Sequence, residues 1–256
     1  MKIAYLNLKS HPRGNHMLHA LALTKYCPQL LIEEDSALAQ KSYQTLTSEL
    51  IKAKKNAVPT TQEIIAHKNI EYLSVKNHND TQAENALKAF MPDLIVLGDT
   101  RIIKPHIIRL APMGIVNVHP GYLPDVRGNN PYIWSIIHNL PSGCSVHFID
   151  EHIDTGPLLL RQKLDPGSYS SYAHFLFAIN ALCGQLVAEA VQRIAENTIE
   201  AIPQSQLKIE GQVEFSTFTA APLAIKNKAK DYFLNVNQTK SNPGNGSDSD
   251  DCSKFK

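Results

Sequence analysis

The sequence predicts an α/β fold: a doubly wound, mostly parallel sheet flanked by helices, with a short C-terminal extension. Three observations carry this expectation. Apolar runs of strand length alternate with segments of helical period, the pattern of a parallel sheet covered on both faces. The run Leu94-Ile95-Val96-Leu97, closed by Gly98, is continuously apolar, which implies burial on both faces and a place in the middle of the sheet. At 256 residues, 43% hydrophobic and 19% charged, the chain has enough apolar material for one large core.

Taken in order, Ile3 to Leu8 is the first strand, followed by a His/Pro/Arg/Gly loop at 11–14 and an amphipathic helix over Met17 to Tyr26. A second strand starts at Leu30-Leu31-Ile32, and residues 36–56 have helical composition, with a shorter helix over Gln62 to His67. Glu71 to Val75 is a third strand, and Thr81 to Phe90 a helix with Ala83, Ala86, Leu87 and Phe90 on one face. After the central strand at 92–98 come a short helix at Lys104 to Leu110 and a strand at Gly114 to Val118. A helix follows over Pro131 to His138, with Asn130 as its N-cap and proline at its first position. Ser145 to Ile149 and Leu158 to Leu164 are strands, and Ser170 to Asn197 is a long helix with apolar residues at helical spacing. Residues 1–197 therefore read as one α/β domain and 198–234 as a C-terminal extension with a short strand (Val213 to Phe218) and helix (Pro222 to Tyr232). Residues 235–256, rich in Asn, Ser, Asp and Gly, read as a disordered tail.

The charge balance, 25 basic against 24 acidic residues, argues against a protein whose main work is phosphate-backbone contact, and no basic stripe points to a nucleic-acid partner. No apolar run approaches the roughly 20 residues of a membrane span. The four cysteines are scattered without a Cys-x-x-Cys pair, as expected of reduced thiols in a cytoplasmic protein. Oligomeric state is not legible.

Chemistry concentrates in two stretches. In Asn117-Val118-His119-Pro120-Gly121, the amide and the imidazole are two apart on a strand and leave the same face. Pro120 and Gly121 end the strand, so both groups stand at the carboxyl end of a central parallel strand, where open α/β sheets bind ligands. A capped turn with a satisfied histidine would read the same way. The second stretch, His147-Phe148-Ile149-Asp150-Glu151-His152-Ile153-Asp154-Thr155-Gly156-Pro157, is a strand running into a carboxylate-rich loop. Taken alone it also fits a solvated turn, and its spacing matches no calcium loop.

Together, Asn-x-His-Pro-x-x-Leu-Pro-x-x-Arg-Gly-x-x-Pro and His-x-x-Asp-x-x-x-Asp-Thr-Gly-Pro resemble the 10-formyltetrahydrofolate-dependent formyltransferases, a family that includes glycinamide ribonucleotide, methionyl-tRNA and sugar-nucleotide formyltransferases. The resemblance is clear over Pro92 to Asn197. It implies a Rossmann-like fold and a catalytic set of Asn117, His119 and Asp154: the Asn117 carboxamide holds the oxyanion of the tetrahedral intermediate, while His119 and Asp154 carry protons. It implies 10-formyltetrahydrofolate as co-substrate and no metal. In the folate site it places Arg101 against the glutamate carboxylate, Ile103 at the pterin wall with Ile102 beside it in the same segment, and Ile149, Asp150, Glu151 and Ile153 in the loop along the pterin edge.

Two departures narrow the acceptor. Gly121 stands where serine is frequent in the family, which should loosen the loop. Arg13, Gly14 and Asn15 occupy the turn that cradles a phosphate in glycinamide ribonucleotide transformylases, with bulky residues where small ones belong. The resemblance thus implies a small-molecule amine, an amino sugar nucleotide foremost, with Gln212 to Tyr232 folding back beside it. The alternatives are a formyltetrahydrofolate hydrolase, a methionyl-tRNA or glycinamide ribonucleotide formyltransferase, and a non-catalytic folate-binding module. His147 reads as a buried structural residue.

Overall fold

A computed structural model describes residues 1–51, 59–211 and 217–241. Its main sheet has seven strands in the order β3-β2-β1-β4-β5-β7-β8, formed by Glu71–Val75, Leu30–Glu34, Ile3–Leu8, Leu94–Leu97, Ile115–His119, Gly143–Phe148 and Leu158–Lys163. The first five of these are parallel, while β7 runs antiparallel to both its neighbours, β5 and β8. All residues of β1, β2 and β4 are buried, as strands of a sheet covered on both faces should be, including the polar Asn7, Glu33 and Glu34 at the carboxyl ends of β1 and β2.

The helices are α1 (Pro12–Ala22), α2 (Ala37–Leu50), α3 (Thr61–Ala66), α4 (Thr81–Phe90), α5 (Pro105–Ile108), α6 (Pro131–Ile137), α7 (Tyr172–Ala195) and α8 (Leu223–Ser241). By length and composition α7 could cross a membrane. It is instead the core helix, packed on α1 and β7, with Phe175, Ile179, Cys183, Val187 and Val191 fully buried at four-residue spacing.

Several local expectations change. The loop expected at 11–14 is the first turn of α1, because Pro12 sits at its first position and the His11 ring nitrogen accepts from the Gly14 N–H at 3.4 Å. Asn130 stands at the N-cap position of α6 as expected, but its side chain makes no capping hydrogen bond: the residue lies in the left-handed region (φ 52°), and its Oδ1 accepts from the Ala221 N–H at 3.0 Å. α8 continues through Ser241, past the point at Asn235 where a tail was expected, and 242–256 lie outside the described residues. Of the strand expected at 213–218, 213–216 lie outside them as well. The described remainder, β9 (Thr217–Phe218), pairs in parallel with β6 (Arg127–Gly128) as a second, two-stranded sheet.

The sheet's strand order reverses between β1 and β4, since β2 lies on one side of β1 and β4 on the other. Loops leaving the carboxyl ends of β1, β4 and β5 therefore border one crevice, the place where doubly wound sheets take ligands.

Candidate active site

Asn117 and His119 leave β5 on one face, and the antiparallel partner β7 sets His147 directly opposite Asn117 and Ser145 opposite His119. The pairing brings Asn117 Nδ2 to 3.0 Å from His147 Nε2. His147 Nδ1 lies 2.8 Å from the Phe148 carbonyl. A carbonyl only accepts, so the proton is on Nδ1 and the bare Nε2 accepts from the Asn117 amide. One Asn117 N–H is thereby fixed in direction by a buried ring. Ser145 ties down the loop after β5: its hydroxyl donates to the Gly121 carbonyl and accepts from the Leu123 N–H, each at 2.9 Å.

His119 is 4% exposed, and its Nε2 donates to the Val126 carbonyl at 2.9 Å. Its Nδ1 faces Asp154 Oδ2 at 3.4 Å, while Asp154 Oδ1 lies 3.6 Å from His147 Nε2. The Gly128 N–H donates to Asp154 Oδ2 at 2.8 Å. Burial pushes the His119 pKa below its usual value, and the raising effect of Asp154 does not overcome it. For Asp154, burial acts to raise the pKa, but His119, His147 and the Gly128 N–H outweigh it and hold the carboxyl below the usual carboxylate range. Near neutral pH the pair is therefore a carboxylate beside a neutral imidazole whose bare Nδ1 points at it.

Asp154 sits at φ 53°, in the left-handed region, on the loop between β7 and β8. Gly121 does not loosen its loop, contrary to the sequence expectation. A Cβ there would come within 2.5 Å of His119 Nε2 and 2.6 Å of Pro131 Cβ, so glycine lets the loop close over the ring.

The remaining predicted positions are dispersed. Arg101 donates from Nε to Glu34 Oε2 at 2.6 Å and from Nη2 to Glu34 Oε1, so that edge of the guanidinium is engaged by a fully buried carboxylate instead of lying open to a ligand. Ile102 is 74% exposed while Ile103 is buried. Ile149 is half-buried against the core on the β4–α5 side, and Asp150, Glu151 and Ile153 are exposed on the loop that leads to Asp154. Arg13, Gly14 and Asn15 do not form an open phosphate turn. Arg13 is ion-paired with Asp99, Gly14 is packed on Asn7, and the Asn15 Oδ1 accepts from Thr61 Oγ1 at 3.2 Å. Among the described residues, no cluster of His, Cys, Asp or Glu is placed to hold a metal ion.

Sequence reasoning undervalued His147 and missed Gln204. For His147 the signal was present: polar residues two apart on both strands, Asn117/His119 and Ser145/His147, face one another once the strands pair. Gln204 gives no such signal, because it belongs to the C-terminal extension and meets Asp154 only in the folded chain. Beside it, an open groove of about 530 Å³ is bordered by Arg127, Asp150, Thr155, Gln204 and Leu207.

Fold and site together define a Rossmann-like α/β scaffold with a polar set at the carboxyl edge of its central strands. The sequence profile of the formyl transferase family matches residues 37–166, and the chain belongs to that family, whose members are enzymes that transfer formyl groups. Among its relatives, the methionyl-tRNA formyltransferase of Acetivibrio thermocellus is 27% identical over 155 residues, 60% of this chain and 50% of that one. The methionyl-tRNA formyltransferase of Desulfotalea psychrophila is 32% identical over 178 residues, 69% and 52% of the two chains. The chain thus spans about half the length of these relatives. Among solved structures, glycinamide ribonucleotide transformylase 1 from Symbiobacterium toebii superposes with a TM-score of 0.60 at 18% identity, over 79% of this chain and 94% of that one. The formyltransferase PseJ from Anoxybacillus kamchatkensis, solved with UDP-4,6-dideoxy-4-formamido-L-AltNAc and tetrahydrofolate, superposes with a TM-score of 0.50 at 18% identity, over 89% of each chain. At these identities the likeness is one of fold.

Proposed function

We propose that the protein moves the formyl group of 10-formyltetrahydrofolate to the amine of a small molecule, with an amino sugar on a nucleotide as the acceptor to test first. The observation that carries this reading is the joined set Asn117–His147 and His119–Asp154 at the carboxyl edge of β5 in a chain of the formyl transferase family. The amine nitrogen bonds to the formyl carbon, and charge develops on the formyl oxygen. Asn117 has two amide N–H groups; His147 orients the amide through one, and the other is the donor we assign to that oxygen. The proton lost by the attacking nitrogen goes to the bare Nδ1 of His119, where Asp154 stabilises the imidazolium. It then passes to N10 as the carbon–N10 bond breaks, giving a formamide and tetrahydrofolate. Arg127 and Asp150, on the groove beside Asp154, are the polar groups we assign to acceptor binding. The cytoplasm, which keeps thiols reduced, is the compartment this reading assigns.

PseJ supports the sugar-nucleotide acceptor through the near-equal coverage of the two chains. A second reading, methionyl-tRNA as acceptor, is favoured by the identity to methionyl-tRNA formyltransferases. The test is tetrahydrofolate release from 10-formyltetrahydrofolate with a UDP-linked amino sugar, with glycinamide ribonucleotide, with methionyl-tRNA, and with no acceptor. Release dependent on the amino sugar supports the first reading, and release dependent on methionyl-tRNA replaces it with the second. Acceptor-independent release identifies a hydrolase. Tight folate binding without turnover identifies a binding module.

A further inference from the structure

The Asp154 carboxylate is useful only if its position is fixed, and two separate backbone segments fix it. One is its own loop, held in the left-handed region at Asp154. The other is β6, whose Gly128 N–H donates to Oδ2 at 2.8 Å. Gln204 touches both segments. Its Nε2 donates to the Asp154 carbonyl at 3.0 Å and to the Gly156 carbonyl at 2.8 Å. Its Oε1 accepts from Arg127 Nη2 at 2.6 Å and from Nε at 3.2 Å. The side chain is 5% exposed with both amide hydrogens and the carbonyl oxygen bonded, so its orientation is set on every side. Its own backbone is anchored two residues earlier, where Ile202 and Leu158 exchange two hydrogen bonds of 2.8 Å.

β6 is pinned from its other side as well. Gly128 pairs with Phe218, and a Cβ at Gly128, which sits at φ 87°, would lie 2.2 Å from the Phe218 carbonyl. The Asn129 N–H donates to that carbonyl at 2.9 Å, and the Trp134 indole donates to the Thr219 carbonyl at 2.9 Å. The C-terminal extension therefore holds β6 through the Arg127 side chain and through the pairing with β9, and Gln204 also holds the Asp154 loop.

We propose that Gln204 is a positioning residue for Asp154, its single carboxamide fixing together the loop that carries the carboxylate and the strand whose N–H orients it. This deepens the formyl-transfer reading and rests on it. Residue 204 lies outside the segment matched by the family profile, so this role belongs to the extension and not to the shared catalytic segment.

The test compares Gln204→Met, which keeps the length and removes both the donors and the acceptor, with Gln204→Asn, Asp154→Asn and the double variant Gln204→Met/Asp154→Asn in the full chain. Gln204→Met should lower kcat about ten- to a hundredfold with the KM for 10-formyltetrahydrofolate within about twofold, as a misplaced catalytic group does, while the acceptor KM follows the Arg127 guanidinium that Gln204 also holds. In the Asp154→Asn background the same substitution should cost less than about twofold further, because its effect passes through that carboxylate. An independent readout is the His119 imidazole titration followed by NMR. Both Gln204→Met and Asp154→Asn should move it downward, since each removes or displaces the carboxylate that raises it. An unchanged kcat, a full additive loss in the double variant, or an unmoved His119 titration overturns the proposal. If Gln204→Met does not fold, Gln204→Asn, too short to reach both segments, is read by the same criteria. Failure of the formyl-transfer reading is distinguished by wild-type protein that releases no tetrahydrofolate, in which case the NMR arm alone decides on Gln204.

Discussion

Two histidine–aspartate pairs stand at the carboxyl edge of the same sheet, and they are built for different ends. His119 Nδ1 lies 3.4 Å from Asp154, and His11 Nε2 lies 3.5 Å from Asp99. Both imidazoles are about 5% exposed or less. The difference is the third partner. Asp99 also holds the Arg13 guanidinium, a charge that does not titrate in the working range of proteins. Burial first, with Arg13 adding to it against Asp99, pushes the His11 pKa down to about 4. Asp154 is instead faced by two imidazoles and one backbone N–H. A carboxylate satisfied by arginine is a structural tie, whereas one that faces unprotonated imidazole nitrogens can stabilise a proton that comes and goes.

The sharpest way to break this comparison is to neutralise each carboxylate in turn. Asp154→Asn should lower kcat by about 10²–10⁴-fold, the range for losing a general acid–base group. Asp99→Asn should leave Arg13 buried without its counter-charge and cost about 3–5 kcal/mol of stability. Tetrahydrofolate release and urea unfolding, measured on both variants, separate the two outcomes. If Asp99→Asn unfolds at the wild-type midpoint but loses turnover, the division of labour is wrong.

Next in size is Asn117→Ala, for which the loss of one oxyanion donor predicts a fall of about 10²–10³-fold in kcat with substrate affinity retained. A smaller effect is expected at Gly121. Placing serine there, as is frequent in the family, should not help this chain, because the new Cβ meets His119 and Pro131. We expect Gly121→Ser to lower kcat by about tenfold through displacement of the His119 ring, and equal or higher turnover would show that the ring has room to give.

How much of this was legible before the fold was known differs by residue. Asn117 and His119 could be placed on one face at a strand end by period and by the Pro-Gly stop, and that placement holds. The strands and helices of the sheet were legible because continuous apolar runs and helical period are local signals. The antiparallel sense of β7 was not, since β7 follows α6 as a parallel strand would, and its direction is fixed by tertiary pairing. The same pairing is what turns His147 from a core residue into the partner of Asn117. The partners of Arg13 and Arg101 were not legible for a related reason: Asp99 and Glu34 are distant in sequence and meet the two guanidinium groups only in the fold.

The smallest expected effect concerns how the two pairs respond to acid. His11 and His16 titrate near pH 4 in the folded chain, each lowered mainly by burial, against about 6.5 when unfolded. Between these values the unfolded chain binds more protons, so stability falls as pH drops through the window, by about 1.4 kcal/mol per pH unit for each fully shifted histidine. Asp154 acts with the same sign in a lower window: its folded pKa is depressed, so its contribution is present above the unfolded carboxylate value and is lost as pH falls below that value toward the folded one. The acid slope between pH 6.5 and 4 thus belongs to the histidines and not to the His119–Asp154 carboxylate. Unfolding midpoints measured across that window should show a shallower slope in His11→Gln than in wild type, while Asp154→Asn, which moves the His119 titration downward, does not flatten it. A slope that flattens in Asp154→Asn instead would mean that the active-site carboxylate, and not the arginine-locked crevice, sets the acid limit of the fold.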